Sequence, residues 1–317
     1  TQGGFPTAAE PSVQGHDFLH DHTGNFRGWK RVGDNTIELM AGISRQDFGK
    51  TSAGRPQSHA DTNFQLARLE RPTGPDSSLE LRVSRDESMA RDFPGPSGPE
   101  STTRYWQYDT QGLHTVSWGD GRLQTTYGAA WRYAASASSY LYGATPLQTN
   151  RTVRGFLHQS IQVLPTISVM GGLNHETANA GGYHKDFQAA VLWSPTEEHA
   201  LRLSFSRANT KPQIYHRYAD FDANAFVHVF GNRELEASPL TNYETGWRGL
   251  FLDRALHLEL TGFYTEIQRH LNLEQVPGPA NVNLTHKNTN IVILRGLEAS
   301  LRWRGGRGGS FYSNYTL

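Results

Sequence analysis

Cysteine is absent from the 317 residues, which removes disulfide frameworks, thiolate metal sites and cysteine nucleophiles together. Hydrophobic residues are few, at 36%, and nowhere do they run unbroken for the roughly eighteen positions that a helical membrane span needs. An excess of one charge is missing too. Lys+Arg 30 against Asp+Glu 30 gives no reason to expect nucleic acid as a partner. The phosphate-cradling Gly-rich loop, the Gly-x-Ser-x-Gly elbow and His-Glu-x-x-His are all lacking. The adjacent Glu197 and Glu198 fall at a predicted turn, where carboxylates are solvated, so no enzyme activity and no cofactor are expected. The opening TQGGFPTAAEP has neither a basic nor an apolar leader region, and no targeting peptide is expected there.

What is present is alternation. Leu79, Leu81 and Val83 interleave with Glu80, Arg82 and Ser84. Leu201, Leu203 and Phe205 interleave with Arg202, Ser204 and Ser206. Leu256, Leu258, Leu260, Gly262 and Tyr264 face away from His257, Glu259 and Thr261, and Leu297, Ala299, Leu301 and Trp303 away from Glu298, Ser300, Arg302 and Arg304. Leu123, Thr125, Tyr127, Ala129, Trp131 and Tyr133 make a further set. Side chains with period two line opposite faces of a strand. The runs reach about nine to eleven residues, the length of a tilted transmembrane strand and more than the five or six common in globular sheets. Charged side chains cannot face lipid, so the polar set must line a wet lumen or a plug.

About fourteen strand-like segments can be marked in this way, with no convincing helical pattern between them. Their connections alternate. Short turns fall near 33–35, 72–77, 119–122, 165, 195–199, 253–255 and 305–308, and longer segments span 46–59, 87–102, 135–147, 175–182, 207–240 and 268–287. Barrels of the Gram-negative outer membrane join strands by short periplasmic turns and long extracellular loops. Trp118, Trp193, Phe251 and Trp303 each precede a short turn, as an interfacial belt on the periplasmic side requires. Tyr264 and Tyr133 would serve the outer belt. The fold class expected is all-β, an antiparallel transmembrane β-barrel over residues 1–317. A soluble β-sandwich would explain the alternation but not the asymmetry of the connections.

Residues 201–304 carry words as well as grammar. LRLSFSRANTKP at 201–212, GNRELEASPLTNYETGWRG at 231–249, LHLELTGFYTEIQRHLNLE at 256–274 and RGLEASLRWR at 295–304 resemble the carboxy-terminal half of the barrel in TonB-dependent outer-membrane receptors. Ala237 and Ser238 depart from that family's usual Lys-Pro-Glu. The resemblance implies a plugged barrel of about twenty-two strands, of which this chain would be a part. Neither the plug nor its TonB-contacting box has a counterpart here, and the chain stops at Leu317 in FYSNYTL, short of the family's terminal aromatic strand. It also implies uptake of a scarce, bulky nutrient, a ferric siderophore first, with the iron chelate, outer-membrane lipid and, through the plug, TonB as partners. A passive porin of about fourteen strands, a haem receptor, and an adhesin or phage-receptor surface stay open as alternatives.

Ligand specificity is expected in 207–240, the longest connection, because long loops on rigid scaffolds carry function. Within YHRYADFDANAFVHVF stand Tyr215, His216, Arg217, Tyr218 and His228. Tyrosine and arginine suit a flat or anionic ligand, and either histidine could ligate haem iron axially. No protein-held metal is expected.

Overall fold

The computed structural model describes residues 5–6, 16–17, 19–48, 58–92, 101–144, 146–179, 182–278, 282–306 and 308–317. Two short strands, β1 (Phe5–Pro6) and β2 (His16–Asp17), pair with each other. An antiparallel meander follows: β3 (Leu19–Val32), β4 (Asn35–Phe48), β5 (Ser58–Gly74), β6 (Ser77–Asp92), β7 (Ser101–Trp118) and β8 (Leu123–Ala137). The one-turn helix α1 (Ser139–Tyr142) leads to β9 (Leu147–Leu164), β10 (Ile167–Ala178), β11 (Gly182–Trp193) and β12 (His199–Thr210). After α2 (Ile214–Tyr218) and the hairpin β13 (Asp220–Asn224) and β14 (Val227–Phe230), the meander resumes. Its last strands are β15 (Ser238–Phe251), β16 (Leu256–Val276), β17 (Val282–Arg304) and β18 (Ser310–Thr316).

All seven predicted short turns are present. At 119–122 the turn is tight enough that Gly119, Asp120 and Gly121 all take left-handed φ, at 58°, 55° and 85°. Ten strands from β3 to β12 and four from β15 to β18 make the fourteen expected for the wall. The two strands β13 and β14 are extra and belong to a loop.

Registers place the alternating sets in continuous rows. Leu203 lies opposite Thr245, Thr245 opposite Gly262, and Gly262 opposite Leu297. Trp303 lies opposite Leu256 on one side and Phe311 on the other. On this face Phe187, Phe205, Tyr243 and Tyr264 form a ring ladder with successive centroids 5.4, 4.9 and 6.5 Å apart. Leu203 is 59% and Leu297 61% exposed, with nothing among the described residues covering them. That is the lipid-facing side of a barrel wall.

Beside these rows the opposite face carries ion pairs. Arg68 Nε meets Glu80 at 2.7 Å, and its terminal nitrogens meet Glu70 at 2.9 Å and Glu38 at 3.4 Å. Arg132 meets Asp109 at 2.7 Å and Arg202 meets Glu244 at 3.4 Å. Such charges are tolerated where water or a plug reaches them, not in hydrocarbon.

Three expectations need correction. From β3 to β12 and β15 to β17 the strands outlast their alternating patterns, from 12 residues in β10 to 23 in β17, so much of 87–102, 175–182 and 268–287 is ladder and not loop. Once a strand leaves the bilayer both faces are wet, and hydrogen bonding continues while the apolar–polar rhythm stops. Helix is present, as two single turns too short to show a period of 3.6 residues. The sheet is not purely antiparallel, because β14 joins β17 in parallel.

Candidate ligand-binding site at the barrel mouth

The connection 211–237 is a folded cap. Its hairpin is strapped to the upper end of β17, with Val227 to Phe230 in register with Val282 to Thr285, and Thr285 Oγ1 donates to the Phe230 carbonyl at 2.9 Å. The returning chain crosses α2 at Gly231, where any Cβ would collide with the backbone of Arg217 and Tyr218. Asn232 fastens the crossing: its N–H donates to the His216 carbonyl at 2.9 Å and its side-chain amide to the His286 carbonyl at 3.0 Å.

Four of the five predicted residues sit on α2 and the fifth on β14. Tyr215 and His216 come together with groups the sequence did not flag. His216 lies 4.5 Å from His286, centroid to centroid, and Tyr215 lies 5.8 Å from His286 and 6.2 Å from Phe221. Tyr140 of α1 completes the cluster, 5.2 Å from Phe221, with its hydroxyl donating to the Asp222 carbonyl at 3.1 Å. The Gln213 N–H donates to His216 Nδ1 at 3.2 Å, so the neutral ring carries its proton on Nε2. Burial, then the neighbouring His286, holds His216 below the ordinary imidazole range. Burial also raises the Tyr215 phenol, keeping it a neutral hydrogen-bond donor.

The other three predicted residues do different work. Arg217 donates to the Leu235 carbonyl at 2.7 Å and to the Arg233 carbonyl, stapling the loop to itself. Tyr218 lies beneath the Arg233 guanidinium, 5.4 Å from ring centroid to Cζ. His228 stands apart, with Nδ1 2.7 Å from Asp222 and Nε2 3.1 Å from Asp220. Both its nitrogens therefore face carboxylates. No group of three His, Cys, Asp or Glu able to hold a metal occurs among the described residues.

Beneath the cap lie cations that sequence reading missed. Lys211 pairs with Glu176 of β10. Burial, reinforced by repulsion from Arg132 and Arg154, lowers the Lys211 ammonium to about 8 even with that carboxylate alongside. Arg154 sits over the Phe156 ring at 5.7 Å, and its Nε is buried with no hydrogen-bond partner among the described residues. Arg132 and Arg154 fall in the lumenal phase of β8 and β9, which is the one sequence signal that could have found them. Together the mouth offers aromatic and imidazole rings above and guanidinium and ammonium groups below, a combination suited to a ligand both aryl and anionic.

Comparison with known proteins places this geometry. The chain matches the family described as TonB dependent receptor-like, beta-barrel, over residues 8–317. Among solved structures it is similar to the siderophore receptor PirA from Acinetobacter baumannii, with a TM-score of 0.79 and 15% identity over 96% of this chain and 53% of that one. A mutant of the ferric enterobactin receptor PfeA from Pseudomonas aeruginosa gives 0.80 and 16%, over 99% and 53%. A double mutant of the hemophore receptor HasR from Serratia marcescens, bound to its hemophore HasA and heme, gives 0.76 and 15%, over 95% and 54%. The chain thus spans about half the length of the solved receptors it matches. None of the curated proteins matches it. The family and these neighbours are receptors and not enzymes, and barrels of this kind reside in the outer membrane. The chain belongs to the TonB-dependent receptors and forms part of their β-barrel.

Proposed function

We propose that the chain is the barrel wall of an outer-membrane transporter for a ferric siderophore, driven by TonB through a plug domain. The observation that carries this reading is the pairing of Tyr140, Tyr215 and His216 with Lys211, Arg132 and Arg154 at one mouth. A ferric tris-catecholate is anionic and presents flat aryl rings at its surface, and it is too bulky for passive diffusion. Rings at the rim stack on it, while the half-buried Arg154 and Lys211 below attract its charge. The buried Nε of Arg154, which has no hydrogen-bond partner among the described residues, gains one when such a ligand arrives. Haem uptake has less support, since His228 faces two carboxylates, one of which a ligand would have to displace, and His216 Nδ1 already accepts from the Gln213 N–H.

The test uses the purified full-length receptor and fluorescence quenching by a ferric tris-catecholate, an uncharged ferric hydroxamate and haemin. Preferential binding of the catecholate, weakened about tenfold or more in Arg154→Gln/Lys211→Gln, is the expected result. Equal binding of all three, or no effect of the double substitution, overturns the siderophore reading. In cells lacking TonB, binding persists and uptake stops; uptake that continues there identifies a passive channel instead.

A further inference from the structure

Below the mouth, the lumenal face of β7 to β11 holds a recess floored by small residues. Three rows in register frame it. Gln111 lies opposite Ala130, and Ala130 opposite Arg154. Gly128 lies opposite Phe156, Phe156 opposite Asn174, and Asn174 opposite Asp186. His158 lies opposite Gly172, and Gly172 opposite Gln188. At Gly172 a Cβ would come within 3.1 Å of Gln188 and 3.4 Å of His158, so both side chains lean over the missing one. The cavity so formed measures about 470 Å³, within the range of small-molecule sites. Arg154 belongs both to its lining and to the mouth above, which makes the two continuous.

The chemistry of the recess differs from that of the mouth. Gln111, Asn174 and Gln188 each set an N–H donor beside a carbonyl acceptor. Asp186 accepts from the side-chain amides of Asn174 and Asn209, both at 2.8 Å, which orients the Asn174 amide and commits its nitrogen. Asn174 Oδ1 is buried with no hydrogen-bond partner among the described residues, and so is Arg154 Nε in the neighbouring row. A buried acceptor thus stands beside a buried donor, and each is costly until it is paired. A catecholate oxygen only accepts, so an aryl anion serves Arg154 and leaves Asn174 unserved. A hydroxyl donates and accepts through one oxygen, and neighbouring hydroxyls on one ring match successive amides. Phe156, beneath the Arg154 guanidinium at 5.7 Å, adds an apolar surface for the carbons of such a ring.

Taking the siderophore reading above for the chelate itself, we infer that Asn174 and Gln188 read the hydroxyl groups of a sugar carried by the ligand, so that the substrate is a glycosylated ferric catecholate. The charged aryl rings stay at the mouth with Arg154 and Lys211, and the neutral sugar descends into the recess. Amides suit that task better than charges do. They discriminate through hydrogen bonds whose loss leaves a buried group unpaired, and a site built to bond a hydroxyl strongly rejects the analogue that lacks it.

The experiment titrates the purified full-length receptor, by fluorescence quenching, with a synthetic ferric tris-catecholate and with the same chelate bearing a glucosyl group on each aryl ring. Wild type is expected to bind the glucosylated chelate at least about tenfold more tightly. Asn174→Ala/Gln188→Ala is expected to bind the two alike, whereas Lys211→Gln, at the mouth, weakens both and keeps the preference. Equal or weaker binding of the glucosylated chelate by wild type overturns the proposal without need of any variant, and assigns the recess to contact with the plug. So does a preference that survives in a double variant showing heat-modifiable migration. Binding of neither chelate is the separate failure of the siderophore reading, and the sugar site falls with it.

Discussion

His216 and His286 meet at the mouth, one on the single turn α2 and the other at the upper end of β17, with ring centroids 4.5 Å apart and the ring planes tilted by 48°. Two imidazoles at that distance cannot both be charged without repulsion, so the contact belongs to their neutral forms. It ties the cap to the wall through imidazoles that burial holds in the neutral form.

Cap docking should therefore weaken in acid. Burial lowers His216 below its ordinary value of 6.5. The undocked loop then binds the proton more readily, and docking stability falls as pH drops through that value, levelling off below the depressed one. Hydrogen exchange in 211–237 is expected to be faster at about pH 5 than at about pH 7.5, and His216→Phe to flatten the difference. Identical exchange at both pH values contradicts the assignment.

Tyr215 and Arg217 should separate as ligand contact and loop staple. Tyr215→Ala leaves the Arg217 staple intact and costs on the order of 1 to 2 kcal/mol of ligand binding. Arg217→Ala removes charge-assisted hydrogen bonds to two carbonyls and weakens cap docking by about 1.5 to 3 kcal/mol. Proteolysis of 211–237 in the two variants distinguishes them. The fourfold replacement of Tyr215, His216, Arg217 and Tyr218 by Ala lowers binding without lowering the amount of barrel in the membrane.

Leu203 and Ser204 are adjacent yet should respond oppositely to arginine. Leu203→Arg puts a charge on the row shared with Leu297 and costs about 2 to 4 kcal/mol near the bilayer midplane. Ser204→Arg points beside Glu244 and is tolerated. Heat-modifiable migration of the two variants reads the difference, and equal sensitivity would mean that the faces are reversed.

Gly128 allows β7 and β8 to close. A Cβ there would strike the Gly112 carbonyl oxygen, with the Phe156 ring 2.7 Å away. Because the first obstacle is backbone, Gly128→Ala should destabilise the wall by about 1 to 3 kcal/mol. Gly155→Ala, which meets nothing within 4 Å, serves as the matched comparison in urea unfolding.

The wall was legible because lipid imposes its rule on every second residue. Leu201, Leu203 and Phe205 state their orientation without help from any partner. The mouth was only partly legible. Tyr215 and His216 were found through the composition of their loop, whereas His286 becomes their neighbour only once β17 has paired along its length. Lys211, just past the end of β12, meets Glu176 of β10, and no spacing along the chain announces such a pair. Arg217 looked like a ligand group because an arginine in a loop does not reveal in advance that it will be satisfied by carbonyls.

The parallel strap between β14 and β17 has a consequence for how such a receptor changes its taste. Main-chain hydrogen bonds hold Val227 to Phe230 against Val282 to Thr285, and main-chain bonds are indifferent to side-chain identity. The loop is thus ordered by atoms that every residue but proline supplies. Substitution at its ring-bearing positions can retune which molecule is captured while the entropy of ordering the segment stays spent once, so the scaffold and its specificity are free to evolve at different speeds.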